Sequence, residues 1–223
     1  TFLRRAVGAP QCGTVASHPS PPSGARSPAN SDGAGGSVRI LDQNAATKLP
    51  AYPTWTLARM MGKIPIVGIA LGPCAGLGAI KAATAHYSIM VKGTSQVFAG
   101  GPPVVERGMG IKVSKEDLGG SKIHTRESGV MGNEAATEDE AFAMARRFLS
   151  YLPSSVYELP PVIDCDDPRD RADEALIEII PRDQRKVYKS RKILEMVFDK
   201  GSVFELTKGY GRSVVTCFAR LGG

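Results

Sequence analysis

Two hydrophobic patterns stand out along this chain. From Thr137 to Tyr151 the apolar residues Ala141, Met144, Ala145, Phe148 and Leu149, with Leu152 just beyond, recur at helical spacing. Glu138, Asp139 and Glu140 suit the positive N-terminus of that helix, and Pro153 stops it. Ile64–Leu71 is instead unbroken apolar and β-branched, which predicts a buried strand. Gly78–His86 reads as a helix and Tyr87–Val91 as a second strand. Further helices are expected at Ala172–Ile180, Ser190–Lys200 and, after a proline start, Pro53–Met61; further strands at Val203–Leu206 and Ser213–Arg220. GAGG at 33–36 forms a tight loop, and a Pro/Asp-rich loop covers 153–170. Strands alternating with helices predict an α/β fold. Residues 1–31 carry no periodic apolar pattern, five prolines and no acid, and are read as a disordered or non-homologous tail, a transit peptide being the other reading.

Composition narrows the function classes. The 223 residues suffice for one large domain or one and a half, with a sizeable core. No apolar run approaches the ~20 residues that span a bilayer, so no membrane segment is expected. A net charge of +6 favours anionic partners such as phosphate-bearing cofactors. Aromatics at 6% with one Trp argue against base-stacking platforms, so nucleic acid is not expected. Cys12, Cys74, Cys165 and Cys217 form no CxxC pair, so no metal is expected, and reduced thiols point to the cytoplasm or the mitochondrial matrix.

The sharpest chemical signal is ALGPCAGLGAIKAA, residues 70–83, where an apolar strand enters a Gly/Pro bend and an Ala-rich helix leaves it. The glycines fall as G-x-x-x-G-x-G, which is not the dinucleotide fingerprint, and the Gly-Lys-Ser/Thr of a phosphate loop is absent. Three readings stay open. The glycines let helix and strand pack closely. Or Gly72-Pro-Cys-Ala-Gly76 is a nucleophile elbow with Cys74 as nucleophile, followed by Glu116 or Asp117 and then His124. Or backbone N–H groups at the helix start form an anion or oxyanion pocket.

Other features carry less. DCDDPRD (164–170) lacks the Gly and closing Glu of a calcium loop and reads as a solvated turn. PRDQRKVYKSRK (181–192) holds six basic residues against one acid, a solvated helix face or a phosphate contact. His86 and His124 are lone histidines, read as hydrogen-bonded rather than ligating.

Several motifs together resemble a known family. GPCAG, GTSQVFAGGPPVV (93–105), LGGSKIHTRESGV (118–130), FLSYLP (148–153) and VFELTKGYGRSVVTCFARLGG (203–223), preceded by DGAGGSVRILDQ (32–43), occur in this order in biotin-dependent acyl-CoA carboxyltransferases. These are the β subunits of acetyl-, propionyl- and methylcrotonyl-CoA carboxylases. The resemblance covers about residues 32–223. It implies a crotonase-like (ClpP/crotonase) ββα-spiral domain, here incomplete at its N-terminal side.

The resemblance also implies chemistry. Carboxyl would pass from carboxybiotin to the α-carbon of an acyl-CoA, with oxyanions held by backbone N–H groups. Gly76, Leu77 and Gly78 match the backbone oxyanion site facing the acyl-CoA thioester. Gly35, Gly36, Ser37 and Ala75 match the lining of the acyl-CoA pocket. Many members carry Gly-Gly where this chain has Gly76-Leu77, so the Leu77 side chain narrows the pocket. Biotin would be carried on a partner, the biotin carboxylase or biotin carrier subunit. Other β subunits would be partners too, in a homo-oligomer that is a hexamer in the family. The family chain is more than twice as long. Residues 32–211 then form a partial first carboxyltransferase domain and 212–223 the start of a second, so this chain is expected to be inactive alone. Two readings of other classes stay open: a Cys hydrolase using Cys74, Asp117 and His124, and a non-catalytic subunit-like scaffold.

Overall fold

The computed structural model describes residues 12–16, 59–168, 170–183 and 185–223. Its centre is a four-stranded sheet with the order β1 (Cys12–Ala16), β2 (Ile66–Ala70), β4 (Tyr87–Val91), β6 (Asn133–Ala135). β2, β4 and β6 run parallel, and β1 pairs antiparallel with β2, Val15 opposite Val67. β3 (Pro73–Ala75) and β5 (Gln96–Phe98) form a separate parallel pair.

Apolar runs become strands here because both sheet faces are covered. Val67, Ile69, Leu71, Tyr87, Ile89 and Val91 point to one side, against Ala141, Ala145 and Phe148 of α4 (Glu138–Ser150). Ala70 and Met90 point to the other, against Ala79 and Ala82 of α1 (Leu77–Ala83). Gly68 lets α1 close on the sheet, since a Cβ there would lie 2.9 Å from the Ala82 carbonyl oxygen. α4 starts as its sequence predicts: Thr137 Oγ1 accepts the Glu140 N–H at 3.2 Å, and Glu140 reaches back to the Ala136 N–H at 2.6 Å.

Three short helical segments follow β5: α2 (Pro102–Met109), α3 (Lys115–Gly119) and a π-helical turn at Ile123–Glu127. The C-terminal part adds α5 (Ala175–Ile179), α6 (Ser190–Val197) and the antiparallel pair β7 (Phe204–Leu206) and β8 (Thr216–Phe218).

Three expectations change. Cys12–Ala16 lies in the stretch read as a tail, yet it forms the edge strand β1, because β2 offers it an open row of backbone partners. Residues 212–223 pack on this domain: Phe218 stacks on Tyr151 and meets Phe148 edge-on, and the Gly222 and Gly223 N–H groups donate to Asp199. The strand expected over Ser213–Arg220 shortens to Thr216–Phe218. DCDDPRD is no free turn: Asp167 pairs with Arg171 at 2.6 Å and accepts the Lys200 N–H at 2.7 Å, and Arg171 donates to the Met196 and Phe198 carbonyls. The GAGG loop and most of the expected helix Pro53–Met61 lie outside the described residues. Among the described residues no helix is long and apolar enough to cross a membrane.

Candidate functional site

The bend at 71–78 sits where the chain leaves the central sheet. β2 ends at Ala70, the chain crosses to β3, pairs with β5 through Cys74 opposite Val97, and turns at Gly76 into α1. Gly76 has φ 57° and ψ −121°, a conformation that disfavours any residue with a Cβ. A Cβ there would meet nothing nearer than the Ala99 oxygen at 4.0 Å, so glycine is demanded by backbone angle and not by crowding. The Gly76 N–H is shared between the Phe98 and Ala99 carbonyls, 3.2 Å from each. Leu77 then supplies the first N–H of α1, and a helix has no carbonyl of its own for its first-turn amides. Gly78 is buried beside it, while Ala75, Gly76 and Leu77 are half-buried. The bend thus presents backbone at a partly open position.

β5 is gripped from the far side. Gln96 donates to Glu116 at 3.2 Å and forms a lone bridge with Gly120. Gly119 presses on the strand so closely that a Cβ would lie 2.1 Å from the Val97 oxygen. The His124 Nε2 lies 2.7 Å from the same oxygen and donates to it. Sequence reading missed β5, Gly119 and Ser128 as parts of this site. The signal lay in LGGSKIH, whose glycines answer to a close approach.

The hydrolase constellation does not assemble. Cys74 is 1% exposed, with Sγ donating to the Gly72 carbonyl at 3.4 Å. His124 spends one ring nitrogen on Val97 O and the other on Ser128 Oγ at 3.2 Å. Asp117 is tied up in the cap of α3: Ser114 is the N-cap, its Oγ donates to the Asp117 carboxylate at 2.6 Å and accepts the Asp117 N–H at 3.1 Å. His86 is a satisfied histidine, its Nδ1 accepting the Ile66 N–H at 3.1 Å. In the basic stretch Arg191 forms a two-point pair with Glu205 at 2.5 and 2.9 Å, which holds that carboxyl below its usual range; Arg182, Arg185, Lys186, Lys189 and Lys192 are exposed. Cys165, Asp167 and Asp199 bring one ligand atom each within 4.8 Å of one another, but Arg171, Lys200 and two backbone amides already answer the two carboxylates. Gly35, Gly36 and Ser37 lie outside the described residues.

A family model described as the carboxyl transferase domain matches residues 30–223. The chain belongs to the carboxyl transferase domain family. The methylmalonyl-CoA decarboxylase subunit alpha of Veillonella parvula is 36% identical to this carboxyl transferase domain over 162 residues, 73% of this chain and 32% of the relative. The mitochondrial propionyl-CoA carboxylase beta chain of Homo sapiens is also 36% identical over 162 residues, 30% of its own length. The solved transcarboxylase 12S, described as a hexamer with hydrolysed methylmalonyl-coenzyme A bound, matches with a TM-score of 0.72 at 30% identity, over 76% of this chain and 33% of that one. The fold is therefore the crotonase-like fold of acyl-CoA carboxyltransferases, and the carboxyl transferase domain seen here spans about a third of the length of these relatives.

Proposed function

We propose that this chain carries the acyl-CoA side of a biotin-dependent carboxyl transfer, with the carboxyl group added to or taken from the α-carbon of an acyl-CoA. The observation that carries the reading is the Gly76 turn, which ends a strand, takes a conformation suited to glycine and opens α1 on backbone amides. The Leu77 amide faces the thioester oxygen and stabilises the negative charge that develops there as the α-carbon becomes an enolate. Such preorganised donors cost no reorganisation in the transition state. Ala75 and the Leu77 side chain border the acyl group. Distal phosphates of coenzyme A suit a chain of net charge +6.

Biotin, carried on a biotin carboxylase or carrier subunit, supplies the carboxyl group. A second backbone donor pair would be needed to hold it. Among the described residues the other glycine-led helix start, Gly100–Gly101 before α2, opens on Pro102 and Pro103, which have no N–H to offer. No described residue is therefore assigned to biotin. Association with further copies, as the hexamer of transcarboxylase 12S suggests, and a cytoplasmic or mitochondrial matrix location complete the reading.

Leu77→Pro tests it. Proline is well tolerated at the first helical position, so this change deletes one N–H and leaves α1 standing. Leu77→Ala is the control that keeps the N–H. Propionyl-CoA binding is followed by calorimetry, and the thioester carbonyl stretch by isotope-edited infrared spectroscopy. The wild-type chain and Leu77→Ala should lower the carbonyl frequency; Leu77→Pro should not. In a complete subunit, carboxyl transfer should fall about 10²–10³-fold with Leu77→Pro. Binding without any carbonyl shift in the wild type would favour the scaffold reading.

A further inference from the structure

We infer that His124, through Val97, is a positioning residue that holds the Gly76 amide and so sets the orientation of the bend. The inference rests on the carboxyltransferase reading of that bend. Three hydrogen bonds meet on β5 and the residue that follows it. The His124 Nε2 lies 2.7 Å from the Val97 oxygen. The next two carbonyls, Phe98 and Ala99, both accept the Gly76 N–H at 3.2 Å. Two consecutive carbonyls can converge on one N–H only if the end of β5 departs from a regular extended strand, where successive carbonyls point to opposite sides. Something must hold it there, and His124 grips the residue immediately before the convergence.

The histidine's tautomer follows from its partners. A carbonyl only accepts, so Nε2 carries the hydrogen. In the neutral ring Nδ1 is then an acceptor, and Ser128 Oγ at 3.2 Å donates to it. Ser128 Oγ in turn accepts the Val130 N–H at 3.4 Å. The relay from Val130 to Ser128 to His124 to Val97 leaves neither ring nitrogen for proton transfer with substrate. It also explains the π-helical turn at Ile123–Glu127. The extra residue per turn closes with the Ser128 N–H on the Ile123 oxygen at 2.8 Å and carries the ring to β5. Thr125 Oγ1, buried, donates to the Ser121 carbonyl at 2.7 Å and pins the turn from within. Gly119 completes the clamp from the same side.

A merely structural histidine would be felt in stability alone, whereas a positioning residue also changes the bend. Amide exchange at Gly76, read by NMR, should accelerate about tenfold in His124→Leu, the loss of roughly one buried hydrogen bond. The thioester carbonyl shift of bound propionyl-CoA should shrink in the same variant, while the propionyl-CoA dissociation constant changes less than about threefold, because contacts to the nucleotide end are untouched. His124→Gln, whose side-chain amide can donate to Val97, should restore both signals. A folded His124→Leu with wild-type exchange at Gly76 and a wild-type carbonyl band overturns the assignment. If His124→Leu does not fold, ring nitrogen shifts of the wild type decide: hydrogen on Nε2 supports the assignment, hydrogen on Nδ1 overturns it. A wild-type chain that binds propionyl-CoA with no carbonyl shift overturns the function reading and the role of His124 with it. A shift that survives in His124→Leu overturns the role of His124 alone.

Discussion

Gly76→Ala isolates what the bend requires. At φ 57° and ψ −121° an alanine is strained, yet its Cβ would meet nothing within 4.0 Å except the Ala99 oxygen at that limit. The cost is therefore conformational. Sparsely populated backbone conformations cost about 1–3 kcal/mol, and the stiffer unfolded chain of the alanine variant returns about 0.4–1 kcal/mol, so that mid-range values leave a net loss of about 1–2 kcal/mol. For a chain of this size each kcal/mol is worth about 2–4 °C, so thermal unfolding followed by circular dichroism should show Tm lowered by roughly 2–8 °C. Gly108→Ala is the matched control: it lies in α2, its Cβ would meet nothing within 4 Å, and replacing a helical glycine should raise stability by about 0.5–1 kcal/mol. The same Gly76→Ala protein should lose the thioester carbonyl shift, because relaxing φ swings the Gly76 N–H away from Phe98 and Ala99 and turns the Leu77 amide with it. A Gly76→Ala chain as stable as the wild type, with the carbonyl shift intact, would refute the claim that this backbone conformation builds the site.

Further outcomes follow from the same geometry. Cys74→Ala should leave propionyl-CoA binding and the carbonyl shift unchanged and cost about 1 kcal/mol of stability for the small buried cavity; loss of binding in a folded protein would revive a role for the thiol. The Gly222 and Gly223 amides hold the Asp199 carboxyl below its usual range, and the Lys200 amide does the same for Asp167. Their folded pKa values lie below the unfolded value of about 3.9, so the stabilisation is complete above that pH and disappears as pH falls through the folded pKa. Unfolding temperature should therefore drop steeply below about pH 4, and Asp199→Asn should flatten that drop; an identical acid profile in the variant counts against the pinning of residues 222–223.

Local pattern carried far in this protein because several segments have one stable use. Tyr87–Val91 is a strand and Glu138–Ser150 a helix, each within a residue of its expected ends, since alternation on two buried faces and a capped 3.6-residue stripe leave no competing arrangement. The Gly/Pro bend announced a backbone-built feature, and the order of its motifs announced the family. Three things needed the tertiary structure. Cys12–Ala16 became a strand because of a partner fifty residues away, not because of its own composition. DCDDPRD became an anchor because Arg171 and Lys200 converge on the Asp167 carboxylate. His124, one histidine in a helical run, acquired a role only when a π-turn carried its ring to Val97. Spacing along the chain encodes which face a residue occupies, because face follows from a local period. It does not encode which distant carbonyl a side chain will reach, because that depends on how separate elements pack and on where a buried polar atom must find its partner.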